Sequence, residues 1–129
     1  MRLLLDTHTF LWMSLDDPKL VENAKRLLAD PENDLFLSPA SYWEIAIKIS
    51  IGHYALTEPL DVFLNREIDR NEFSVVPIGV SHATAVAQLP FHHRDPFDRM
   101  IIAQALCEDL TVVGKDEVFD QYNVKRIWN

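Results

Sequence analysis

Asp6, Glu44, Asp98 and Asp116 are the side chains on which chemistry can be built. Each sits where the chain turns from one element to the next: Asp6 after Arg2-Leu3-Leu4-Leu5, Glu44 within Ser38-Pro39-Ala40-Ser41-Tyr42-Trp43-Glu44, Asp98 in Asp95-Pro96-Phe97-Asp98-Arg99, and Asp116 after Thr111-Val112-Val113-Gly114-Lys115. Carboxylates at the carboxyl ends of parallel strands and the starts of the following helices project into one crevice, where open α/β sheets bind ligands. Like charges gathered there repel, so a cation is expected to join them. Hard oxygen donors without a cysteine cluster or a helical histidine pair select Mg²⁺ or Mn²⁺ over zinc.

Placing those residues requires alternating strands and helices. Arg2 to Leu5 reads as a first buried strand, followed by a short helix over Thr7 to Met13. Asp17 as cap and Pro18 at the first helical position predict a helix carrying Leu20, Ala24, Leu27 and Leu28 on one face. Leu35-Phe36-Leu37 is a short strand. Ser38 and Pro39 repeat the cap-then-proline signal, and that helix is expected to run to about Ile51, with Gly52 as its stop. A further helix spans about Leu60 to Asp69, Phe73 to Val76 is a strand, and Ser81 caps a short helix through Val86 to Leu89. Asp95-Pro96 opens a helix with Met100, Ile101, Ala103, Ala105 and Leu106 inside. Leu110 to Val113 is a strand, Glu117 to Tyr122 a short helix, and Val124 to Ile127 a last strand. This alternation predicts an α/β protein, a three-layer α/β/α sandwich with a central, mainly parallel sheet.

Composition narrows the function. The 129 residues suit a single domain spanning 1–129, and 48% hydrophobic content is ordinary for a globular protein. No apolar run approaches the roughly 18 residues of a membrane span, and Asp6 and His8 interrupt the apolar start before it reaches signal-peptide length. The lone Cys107 excludes an internal disulfide and a cysteine zinc cluster; it fits a cytoplasmic location and is expected in the core. A net charge of −8 argues against nucleic-acid binding by a basic face alone, and suits a basic protein partner.

Each acid also has an ordinary structural explanation. Asp6 suits a strand-end turn, while its place directly after the first buried strand suits a ligand, with Thr7 in support and His8 structural. The helix around Glu44 is apolar almost all round, leaving Ser41, Glu44 and Lys48 as a polar stripe that lines either solvent or a cleft. Asp95 is accounted for as an N-cap. Asp98 lies in the first turn, where a negative charge favours the helix dipole, although one carboxylate already suffices there. Asp116 suits the cap of the next short helix. Four separate explanations are needed, whereas one metal site covers all four.

The same segments resemble a known family. Leu4-Leu5-Asp6-Thr7-His8, Ser41-Tyr42-Trp43-Glu44-Ile45-Ala46-Ile47-Lys48 with Gly52, His93-Arg94-Asp95-Pro96-Phe97-Asp98-Arg99-Met100-Ile101-Ile102-Ala103-Gln104-Ala105 and Val112-Val113-Gly114-Lys115-Asp116 are similar to the motifs of PIN-domain ribonucleases, above all the VapC-type toxins of toxin–antitoxin pairs. The resemblance runs over essentially the whole chain. It implies a PIN-like fold, an acidic metal site of Asp6, Glu44, Asp98 and Asp116, dependence on Mg²⁺ or Mn²⁺, and endonucleolytic cleavage of RNA. Asp95 is an additional acid of the third motif. The fourth motif often reads Thr-Arg-Asp or Thr-Asn-Asp; the departure at Gly114 concerns a supporting contact to substrate or water, not the carboxylate. A small, basic antitoxin and a homodimer follow as expected partners, with no membrane association.

In this reading Asp6 and Asp98 are the main ligands, Asp116 is a direct or water-mediated one, and Glu44 holds a metal-bound water or acts as base. Lys48, Arg94, Arg99 and Lys115 are the cations nearest in sequence, candidates either for the RNA backbone or for counter-charges. Three alternatives stand beside it. A phosphatase of the haloacid-dehalogenase type would want a second Asp where His8 stands. A receiver module would want an Asp at the end of a middle strand, where Val75-Val76-Pro77 offers none. A binding scaffold of the same fold would not need all four acids.

Overall fold

Three consecutive leucines buried on both sides belong in the middle of a sheet, and β1 (Arg2–Leu5) runs there. The computed structural model describes residues 1–129. Around β1 lie β2 (Asp34–Leu37), β3 (Ser74–Val75), β4 (Thr111–Val113) and β5 (Arg126–Ile127), in the order β3-β2-β1-β4-β5. All four pairings are parallel, and Leu4 stands opposite Phe36 on one side and Val112 on the other.

The helices are α1 (Thr7–Ser14), α2 (Glu22–Ala29), α3 (Pro39–Ser50), α4 (Leu60–Arg70), α5 (Val80–Gln88) and α6 (Pro96–Glu108), with a 3₁₀ turn at Glu117–Gln121. The strand's period of two divides the core. Leu3 and Leu5 enter a cluster with Phe10, Ala24, Leu28, Ile45 and Phe63 from α1 to α4. Leu4 and Val112 enter a second cluster with Ile101, Ile102 and Ala105 of α6 and Phe119. Each fully buried leucine contributes about 1.5–3 kcal/mol, so both faces of β1 must stay covered, and the result is the expected α/β/α sandwich. β2 and β4 lie on opposite sides of β1, which makes its carboxyl end a topological switch point with an open crevice.

Several elements differ from their expected bounds. The Asp17-Pro18 signal makes a turn in which the Asp17 carboxylate accepts from Lys19 N, and the helix begins only at Glu22, after an extended Val21. Gly79 rather than Ser81 occupies the N-cap of α5, because His82 Nδ1 accepts from Gly79 N at 3.0 Å. β3, β4 and β5 are each shorter than the apolar runs that announce them. Cys107 and Leu106 are exposed, since Ile101, Ile102 and Ala105 already define the inner face of α6. One side of α3 also stays open: Trp43 is exposed and meets Phe97 edge-on at 5.2 Å. Gly52 ends α3 at φ 79°, a left-handed conformation that glycine adopts without steric cost.

Candidate metal centre

Asp6 continues the β1 ladder, its N–H donating to Val113 O, and then caps α1 by accepting from Thr9 N at 2.9 Å through Oδ1. Its Oδ2 lies over Gly114, where an added Cβ would stand only 2.6 Å away. The glycine that departs from the resembled motif is thus the residue that admits this carboxylate so close to the end of β4. Asp116 does the same at the next switch-point strand. Its Oδ1 accepts from Val118 N at 3.0 Å as the cap of the 3₁₀ turn, leaving Oδ2 for other partners. Cap and ligand are therefore compatible roles, since a carboxylate has two oxygens and a cap uses one.

Glu44 comes from α3, which Ser38 starts by accepting from Ala40 N at 3.0 Å with Pro39 next. A buried bond of 3.0 Å between Thr7 and Ser41 hydroxyls ties the α1 corner to α3, one turn before Glu44. Glu44 is only 3% exposed, and its Oε1 has no hydrogen-bond partner. Lys48 Nζ approaches Oε2 at 3.8 Å, too long for a strong pair. Asp95 spends its carboxylate on the N-cap of α6, with Oδ1 accepting from Phe97 N at 2.8 Å and Asp98 N at 3.0 Å. That frees Asp98 from capping. Burial, reinforced by the charges of Asp95, Asp6, Glu44 and Asp116, pushes the Asp98 carboxyl up to about 8. Asp6 is raised as well, chiefly by burial and in small part by Glu44. The four acids are thus one electrostatic unit.

A residue that sequence reasoning left out joins them. His93 Nε2 lies 3.0 Å from both Asp98 Oδ2 and Asp116 Oδ2, and the three groups offer donor atoms all within 4.8 Å of one another. The signal was present in His93-Arg94-Asp95-Pro96: a histidine two residues before an N-cap can take that cap's own N–H on its ring. A search for helical histidine pairs passes over it.

The flanking cations separate. Arg94 and Lys115 are exposed and Lys48 is half-buried. Arg99 differs from expectation: it is 5% exposed and donates to the carbonyls of Val86, Leu89 and Pro90, so it fastens the segment before His93 rather than facing a ligand. His8, expected to be structural, is exposed. It stacks on Trp12 and, with Asp6, Lys115 and Asp116, lines a cleft of about 540 Å³ beside the acids.

A divalent cation fits this donor set. Its donors are hard carboxylate oxygens, one of them is buried without a partner, and burial among like charges raises the Asp98 carboxyl, a penalty that a cation would relieve.

The family model of the PIN domain matches residues 3–125. No curated protein matches the sequence. Among solved structures, a chain of VapBC2 from Rickettsia felis bound to a promoter DNA fragment is 17% identical, with 100% of each chain covered and a TM-score of 0.74. FitAcB from Neisseria gonorrhoeae is 21% identical over 98% of this chain and 96% of that one, at 0.69. VapBC-1 from nontypeable Haemophilus influenzae is 17% identical over 98% and 97%, at 0.66. At such identities the likeness is one of fold.

Proposed function

This chain belongs to the PIN domain family, and from that premise we propose that it is a Mg²⁺- or Mn²⁺-dependent endoribonuclease, the toxin of a toxin–antitoxin pair. The observation that carries the proposal is Glu44, a buried carboxylate with an unpartnered oxygen set among Asp6, Asp98 and Asp116. Structural use of a charge pairs it; this one is kept for something positive.

Asp6, Asp98, Asp116 and Glu44 would hold the ion. When bound, a divalent cation neutralises phosphate charge and lowers the pKa of an attacking water, the two requirements of phosphodiester hydrolysis. The chain's own residues supply the rest. Asp6 Oδ1 and Asp116 Oδ1 are tied to backbone N–H groups, which fixes where their second oxygens point. Lys115 and Arg94 are exposed cations beside the acids and would meet the RNA backbone, offsetting a net charge of −8 that otherwise repels it. Single-stranded RNA suits the site, because its bases can be splayed from the stack while the phosphate enters a cleft.

The fold shared with chains of VapBC and FitAcB structures supports a protein partner, and an acidic chain fits a small basic antitoxin that occupies the cleft. A homodimer and a cytoplasmic location complete the proposal; no helix is long and apolar enough to cross a membrane.

The test is cleavage of single-stranded RNA with Mg²⁺ or Mn²⁺ and its loss in EDTA. Asp98→Asn should abolish cleavage while leaving the metal-free melting temperature unchanged below about pH 8, where burial already favours a neutral Asp98, or higher above it, where a repelling charge is removed. Asp95→Asn should keep cleavage, because Asn is also a good N-cap. Full activity in excess EDTA, or an essential Asp95 with a dispensable Asp98, overturns the assignment.

A further inference from the structure

His93 stands at ligand distance from two of the proposed ligands, and its surroundings say what it does there. Its backbone N donates to Tyr122 Oη at 2.7 Å, and Tyr122 Oη in turn donates to Pro90 O at 2.6 Å. Arg99 holds the same segment as well, donating to Pro90 O at 2.9 Å, Val86 O at 3.1 Å and Leu89 O at 3.2 Å. The imidazole meets the Phe119 ring edge-on at 5.8 Å. Both the backbone and the plane of the ring are fixed, so Nε2 is aimed rather than merely near.

The direction of its hydrogen bond is fixed too. Asp95 N lies 3.2 Å from His93 Nδ1 and donates to it. A ring nitrogen that accepts carries no hydrogen, so in the neutral ring the hydrogen is on Nε2. Metal ligation through Nε2 would need the lone pair there, moving the hydrogen to Nδ1 and setting it against the Asp95 N–H. Asp95 cannot turn away, because its carboxylate is committed to two N–H groups of α6.

Resting on the metal centre proposed above, we infer that His93 is a positioning residue: its Nε2–H, donated to Asp116 and set against Asp98, keeps the two carboxylates side by side, and it does not itself ligate the cation. The two carboxylates come from different elements and repel each other once both are ionised. The ring nitrogen donates to Asp116 Oδ2 and stands 3.0 Å from Asp98 Oδ2, so it holds the two in register for a common ion, as hydrogen-bonded partners of metal ligands do elsewhere.

Mn²⁺ binding to the purified protein, followed by electron paramagnetic resonance, tests this without relying on cleavage. Wild-type protein should bind Mn²⁺ with no ¹⁴N coupling from a ligated imidazole in the spin-echo spectrum. His93→Ala should weaken Mn²⁺ binding about 10–100-fold, the usual scale for such partners. His93→Gln, whose amide nitrogen reaches the Nε2 position, should recover most of the loss, whereas the shorter His93→Asn should not. Circular dichroism and thermal melting check that each variant is folded, and the wild-type spectrum needs no variant at all. A ¹⁴N coupling that disappears in His93→Ala overturns the inference by making His93 a ligand. So does unchanged Mn²⁺ affinity in His93→Ala when Asp98→Asn has lost it, a result that leaves the metal centre standing. Wild-type protein that binds no Mn²⁺ removes the centre and the inference together.

Discussion

Glu44 on α3 and Glu67 on α4 are both buried, at 3% and 2% exposure, yet the protein treats them oppositely. Glu67 is served by its own helix and its end: Arg66 Nε at 3.2 Å and Arg70 Nη1 at 3.8 Å approach Oε2, and Asn71 Nδ2 approaches Oε1 at 3.5 Å. Glu44 has only Lys48 at 3.8 Å, an unpartnered Oε1, and other acids for neighbours. Burying a charge is tolerated where partners are local, and a structural glutamate has them. A buried glutamate that lacks them while facing more carboxylates is what a cation site would need, and on the proposed reading this difference separates site from scaffold.

The largest expected effect is on cleavage. Glu44→Gln should lower the RNA-cleavage rate by about 10²–10³-fold or more, the scale of losing one preorganised charge stabiliser. Glu67→Gln should leave it within a few-fold. Equal losses in the two variants would erase the distinction.

Stability should show the reverse pattern. Glu67→Gln should cost about 1–3 kcal/mol in urea unfolding by disturbing a buried hydrogen-bonded group, toward the lower end because Arg66 and Arg70 are well exposed and rehydrate readily. Metal-free Glu44→Gln should be as stable as the parent or more so. A clear loss there would make Glu44 a structural residue after all.

The smallest effect is a pH slope. Burial among like charges pushes the Asp98 carboxyl from its ordinary value near 3.8 up to about 8 in the folded protein. Between those values the native state binds more protons, so metal-free stability should fall as pH rises through that window and level off above it, by at most about 1.4 kcal/mol per pH unit for one proton. The raised Asp6 acts with the same sign. Saturating Mg²⁺ should flatten the slope by favouring the ionised carboxylates, and Asp98→Asn should remove the Asp98 share while Glu67→Gln keeps it. A slope unaltered by Asp98→Asn would move the titrating group elsewhere.

What could be read from the chain alone was local. The leucine run of β1, the caps Ser38-Pro39 and Asp95-Pro96, and the stop at Gly52 depend on neighbours within about one turn, and the structure places them as expected. Asp17-Pro18 carries the same cap signal yet makes only a turn, because the extended Val21 that follows starts the helix later. Cys107 and Leu106 fall outward because the inner face of α6 was already filled, a matter of rotation about a helix rather than of residue type.

The sequence by itself brought out the residues of the proposed chemistry: four hard acids at element ends without a cysteine cluster point toward oxygen-ligated metal. Tertiary structure decided which atoms take part. Arg99 reads as a free cation beside Asp98 until the segment from Val86 to Pro90 folds over it. His93 reads as a loop residue until Asp116, 23 positions later, arrives within 3.0 Å. Gly114 reads as a lost supporting contact until Asp6 lies on it. Each depends on a contact made across the chain, and the desolvation that raises Asp6 and Asp98 exists only once the core has closed around them.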